Sequence, residues 1–137
     1  MITKKSFLQL QLLLFVAFAL QACQGTNPVA AANSIELQAY AISGTYGIYQ
    51  EKGLELIQRG NLPNSVSLRL IAAEERLTPI VDELDKALDL VEQVKADLSR
   101  GESTSEQVAI ALTELNNWLN QAGPLVQSFK TNVIGAQ

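Results

Sequence analysis

The sequence predicts an all-α fold, an antiparallel three-helix bundle, and three observations predict it. Apolar residues recur at steps of three and four through three long segments. Turn residues, Gly60-Asn61-Leu62-Pro63 and Gly101, separate those segments. Only residues 66–71 alternate briefly with the period of a strand, and a single isolated strand has no partner. Helical spacing of this kind marks amphipathic helices, and helices joined by short connections pack as antiparallel neighbours.

The first helix is expected over residues 34–59. Ser34 can cap it and Glu36 lies in its first turn, where a carboxylate complements the helix dipole. Its apolar positions are Ile35, Ala39, Ile42, Tyr46, Tyr49, Leu56 and Ile57. Glu55 and Arg59 form an i,i+4 pair in the favourable order. Gly44, Gly47 and Gly53 weaken this helix, each costing about 1 kcal/mol against alanine. Gly60 follows the last periodic residue, where a C-terminal glycine belongs.

The second helix is expected over residues 64–100, and its periodicity is the strongest in the chain. Its seam runs Leu70, Ala73, Leu77, Ile80, Leu84, Ala87, Val91, Val94, Leu98, with Val81 and Leu88 widening the face. Pro79 interrupts it, removing one hydrogen bond and crowding the preceding turn. The seam keeps phase across Pro79, which predicts a kink. The competing arrangement is a break in which Thr78 caps a new helix with Pro79 at its first position.

The third helix is expected from about residue 104 to residue 133, opened by a capping box in Ser103-Thr104-Ser105-Glu106. Its seam is Val108, Ala111, Leu115, Trp118, Ala122, Leu125, Phe129, with Leu112, Leu119, Val126 and Val133 beside it. Gly123-Pro124 falls within the continuing seam and again predicts a kink. The outer face carries Asn and Gln more than charge.

Upstream of the helices the chain reads as a targeting segment. Lys4 and Lys5 form a positive start, and residues 7–22 are apolar apart from Gln9, Gln11 and Gln21. That run is shorter than the ~20 residues needed to span a bilayer, and its charged start and small-residue end describe an export signal that is removed. Its last residues, Leu20-Gln21-Ala22-Cys23, resemble the lipobox of bacterial lipoproteins, with Gln21 larger than the residues usual at that position. The resemblance covers the first 23 residues. It implies a diacylglycerol on the Cys23 sulfur and cleavage just before Cys23. Two acyl chains suffice for stable anchoring where one does not. Competing readings are an ordinary signal cut near Ala30-Ala31-Ala32, an uncleaved anchor, or a buried cytoplasmic helix. Three parts are therefore expected: signal peptide 1–22, lipidated Cys23 with a flexible tether through residue 33, and a helical domain 34–137. In a Gram-negative envelope, an aspartate after the cysteine resembles the inner-membrane retention signal. Gln24 does not, so the resemblance implies the outer membrane, facing the periplasm.

Composition narrows the function classes. The chain of 137 residues carries ten basic and fourteen acidic side chains, for a net charge of −4. Cleavage before Cys23 would remove Lys4 and Lys5 and no acid, leaving −6. An acidic chain without a basic cluster argues against nucleic-acid binding, which requires phosphate neutralisation. Histidine is absent, which excludes His-based triads and His metal ligation. The single cysteine excludes an internal disulfide framework.

No residue set argues for a specific chemistry, and no cofactor, metal or catalytic residue is expected. The densest carboxylates are Asp82, Glu83, Asp85, Asp89 and Glu92. Di-metal bundles add histidines to such spacing, so these acids read as a solvated face with Asp82–Lys86 pairing. Glu74-Glu75-Arg76 reads as surface, and Ser103, Thr104 and Ser105 as caps. Tyr40, Gly44 and Gly47 form a candidate contact surface, because tyrosine supplies area with a polar handle and glycine admits a close neighbour. The alternative is that Tyr46 and Tyr49 fill the core while the glycines accommodate bulky groups such as Trp118. The expected function is a membrane-anchored, non-enzymatic structural or protein-interaction module with a protein partner of unknown identity. Two other classes are an exclusion or lysis accessory lipoprotein of a phage or mobile element, and a carboxylate-based enzyme. Neighbouring genes would discriminate the first, and a concave pocket with two inward carboxylates the second.

Overall fold

The structure is a computed structural model and describes residues 28–137, with side chains from residue 34 onward. Three helices, α1 (Pro28–Gln58), α2 (Asn64–Arg100) and α3 (Ser105–Gly135), account for nearly all of it, and no strand occurs among the described residues. Residues Ala32–Gln137 form one compact unit, and this unit is the all-α three-helix bundle that the periodicity predicts.

Two clusters fill the core. One joins Ala39 of α1, Leu84, Ala87, Leu88 and Val91 of α2, and Val108, Ala111, Leu112, Leu115, Leu119 and Ala122 of α3. The other joins Tyr46, Leu70, Leu77, Val81, Val126, Phe129 and Val133. Early α1 thus meets late α2 and early α3, whereas later α1 meets early α2 and late α3. That is antiparallel packing of consecutive helices, and short connections impose it. Leu84 and Leu115 are fully buried at the centre.

The connections follow glycine chemistry. Gly60 and Gly101 have φ of 69° and 76°, the left-handed region that a residue without Cβ enters without strain. After α2 the Gly101 N–H reaches the Leu98 carbonyl at 3.1 Å and the Glu102 N–H reaches Asp97 at 2.9 Å. Ser103 Oγ then donates to the Val94 carbonyl at 2.8 Å and ties the turn to α2. The capping box at α3 uses Thr104 and Gln107, one residue later than the expected Ser103–Glu106 pair. The Thr104 N–H donates to Gln107 Oε1 at 2.7 Å and the Gln107 N–H to Thr104 Oγ1 at 3.3 Å.

Several expectations are corrected. α1 begins at Pro28, so residues 28–33 are helical rather than part of a tether and Ser34 lies inside the helix instead of capping it. Proline is compatible with a first turn, whose N–H groups have no partner in any case, and the following alanines are the best helix formers. The remaining tether positions, residues 24–27, lie outside the described residues. Helices α2 and α3 run unbroken through Pro79 and Pro124, in keeping with the seams that continue across both, and only the competing break at Pro79 is corrected. Thr78 does not cap a new helix. Its hydroxyl instead donates back to the Glu74 carbonyl at 2.9 Å. In α3, Leu119 and Val126 are buried while Leu125 is exposed and Trp118 half-buried. A seam stepped at 3.5 residues drifts around a 3.6-residue helix by about 20° per heptad, so Leu119 and Val126 take the core places of Trp118 and Leu125, while Ala122 and Phe129 of the same seam stay buried.

Candidate functional site: the exposed face of the first helix

Cys23, the expected lipidation site, lies outside the described residues. The other candidates lie on α1, which presents two faces to different surroundings. One flank is tied to α2 by a ladder of polar contacts whose positions rise along α1 as they fall along α2. Lys95 Nζ donates to Glu36 at 2.8 and 3.0 Å, Tyr40 OH donates to Glu92, and Ser43 Oγ donates to Asp85 at 2.5 Å. Tyr46 OH and Thr78 Oγ1 share a hydrogen bond of 2.6 Å, and Gln50 Nε2 donates to Glu74 at 2.7 Å. Glu36 is only 7% exposed, and a carboxylate this buried needs a cation and hydrogen bonds to offset lost hydration.

The ladder changes how the acidic residues read. Asp85 and Glu92 anchor α1, and Glu74 is engaged by Gln50 and Thr78, so these three are not idle surface. Lys86 pairs with Glu83 at 2.6 Å rather than with Asp82, and that hydrogen bond raises the Lys86 pKa above its ordinary value. Among the described residues no group of three or more His, Cys, Asp or Glu is arranged to hold a metal ion.

Tyrosine chemistry divides along the same lines. Tyr40 is 52% exposed, and its bond to the Glu92 carboxylate keeps the phenol protonated above the usual range. Tyr46 is buried against Phe129, ring centroids 6.1 Å apart. Burial pushes its pKa up, and the Thr78 hydroxyl pulls the other way. Tyr49 is half-buried, with Lys52 Nζ and Lys130 Nζ 5.1 and 5.6 Å from its ring centroid.

Gly44 and Gly47 are exposed, and a Cβ at either would meet nothing within 4 Å. They do not accommodate Trp118 or any other bulky neighbour. Gly53 lies close to α3, with Val133 Cγ2 at 3.5 Å and Phe129 Cζ at 3.7 Å from its would-be Cβ. The outer surface of α1 around Gly44 is apolar: Leu37 is 68% and Ile48 55% exposed, and Ala41 lies between them. The expected contact residues are thus brought to neighbouring positions, Gly44 on this outer stripe and Tyr40 and Gly47 on its α2 side. Sequence reasoning missed Leu37 and Ile48. The signal was present as a second stripe at steps of four, three and four (Leu37, Ala41, Gly44, Ile48), masked by the core stripe on the same helix.

A groove of about 440 Å³ lies at the other end of the bundle, lined by Leu62, Val66, Arg69, Thr131, Asn132 and Ala136 among others. Its one charged group, Arg69, is engaged with the Ser65 carbonyl at 3.3 Å, and no carboxylate lines it. Among the described residues no helix is long and apolar enough to cross a membrane. No protein-family model, curated protein or solved structure matches the chain.

Proposed function

We propose that the protein is a lipoprotein anchored through Cys23, held at the outer membrane facing the periplasm, whose helical bundle is a non-enzymatic protein-interaction module. The observation that carries this reading is Cys23 itself: the single cysteine of the chain stands directly after a basic start and a short apolar run, in Leu20-Gln21-Ala22-Cys23. Two acyl chains on its sulfur supply membrane affinity of roughly 0.8 kcal/mol per buried methylene. The exposed apolar face of α1 supports the interaction half of the reading, because an uncovered apolar stripe on a small domain marks a contact site more often than a catalytic one. The absence of histidine supports the same side.

The test is Cys23→Ala in the full chain. Loss of labelling by a fatty-acid probe and release from the membrane fraction are expected. Unchanged membrane association would remove the anchoring role of Cys23. Crosslinking in intact envelopes, followed by recovery of the protein, identifies what its α1 face touches.

A further inference from the structure

We infer that α1 is a strap that opens from the bundle as one unit, about the turn at residues 59–63, while α2 and α3 stay paired. The inference is independent of the anchoring at Cys23 and concerns how the bundle itself comes open. Its first ground is the division of the core. Among the described residues α2 buries seven apolar side chains and α3 nine, whereas α1 buries Ala39 and Tyr46. The largest fully buried side chains, Leu84, Val91, Leu115, Val126 and Val133, all belong to α2 and α3. Burial of apolar area is the main force that holds a helix in a domain, and α1 supplies the smallest part of it.

What fixes α1 against α2 is largely polar. The Tyr40–Glu92 and Ser43–Asp85 bonds are exposed, and the Glu36–Lys95, Tyr46–Thr78 and Gln50–Glu74 bonds are only part-buried. A hydrogen bond exchanged for one to water changes stability little, so the ladder sets where α1 lies more than how firmly it is held.

The helix is also weak in itself. Gly44, Gly47 and Gly53 each lower its intrinsic stability, and it has no acid in its first turn and no base in its last. Most helical stability in proteins comes from packing, so undocking and loss of helix go together in α1. The two turns differ in the same sense. Ser103 Oγ on the Val94 carbonyl and the Thr104–Gln107 capping box fasten α2 to α3. At the turn from α1 to α2, Pro63 makes no side-chain cap bond. Opening uncovers Phe129 and Val133 of α3, which lie 3.7 and 3.5 Å from the Cβ position of Gly53. The protein thus reaches a form with α1 unfolded and an apolar strip of α3 uncovered, without global unfolding.

The experiment is native-state hydrogen exchange of the purified full chain, read for each helix by mass spectrometry and corrected for intrinsic rates. The central amides of α1 are expected to exchange as a block, at least about tenfold faster than those of α2 and α3, as a sub-global opening requires. Two variants test the order of events. Thr104→Ala removes the α3 cap, at an exposed position in the other turn; it should speed α2 and α3 about fivefold and leave α1 unchanged. Tyr46→Phe removes the bond to Thr78; it should speed all three helices about fivefold, because every opening passes through undocking of α1. Equal protection in the three helices, or acceleration of α1 by Thr104→Ala, means that the bundle unfolds all at once and overturns the strap. Exchange in α1 that Tyr46→Phe leaves unchanged means fraying without undocking, and overturns it as well.

Discussion

Gly44→Ala and Gly47→Ala test the reading of α1 most sharply, because the structure assigns the sign of the effect. Each glycine lies within a continuous helix, and each would-be Cβ meets nothing within 4 Å. Alanine therefore adds no clash and removes only the conformational freedom of glycine in the unfolded chain. The expected gain is about 1 kcal/mol per site, and roughly 4 °C in Tm for a unit of this size. The double variant should approach twice that, since both sites act through local backbone entropy. Thermal unfolding of the purified protein, followed by helical circular dichroism, is the assay. Gly60→Ala provides the opposite sign, because its φ of 69° strains a residue with Cβ by about 1 kcal/mol. Unchanged or lowered Tm in both Gly44→Ala and Gly47→Ala would refute the reasoning: it would mean that this face of α1 is already covered, or that the helix is not continuous there.

Two further outcomes follow from the core. Leu84 is fully buried at the centre of the bundle; Leu84→Ala should cost about 3 kcal/mol, and Leu84→Asp should abolish the helical signal at neutral pH by adding an uncompensated charge. Tyr46→Phe keeps the ring and loses the bond to Thr78, for about 1 kcal/mol at neutral pH. Burial raises the Tyr46 phenol above its unfolded value near 10, so the folded state keeps a proton that the unfolded chain releases, and stability falls as pH climbs through and beyond that value. Tyr46→Phe should flatten that alkaline decline, with the remaining slope from Tyr40 and Lys86, whose shifts have the same direction. An unaltered decline in urea midpoint against pH would place the Tyr46 hydroxyl in water.

Much of the fold was legible because helix periodicity is local. The α2 seam from Leu70 to Leu98, the glycine at each turn and the continuity through Pro79 could be read from neighbours three and four residues apart. The start of α1 was misread because Ser34 offers a plausible cap, while Pro28 and the alanines between them are equally compatible with helix. An idealised seam centres Trp118 and Leu125, and the drift of a 3.6-residue helix turns these two outward in favour of Leu119 and Val126 beside them. The candidate site was only partly legible. Tyr40, Gly44 and Gly47 were visible as an unusual composition, but Leu37 and Ile48 could not be told from core residues until the other stripe of α1 was seen to face α2 and α3.

By itself the sequence determined the helices, their order and the chemistry excluded by missing histidine and a single cysteine, since these depend on residue type and short-range spacing. Tertiary structure decided which acids are engaged and which apolar residues remain uncovered. Glu36 with Lys95, Ser43 with Asp85 and Gln50 with Glu74 are separated by 59, 42 and 24 positions, and no local pattern encodes such pairs. They arise only when antiparallel packing sets α1 against α2, and the same packing leaves Leu37, Gly44 and Ile48 on the outside.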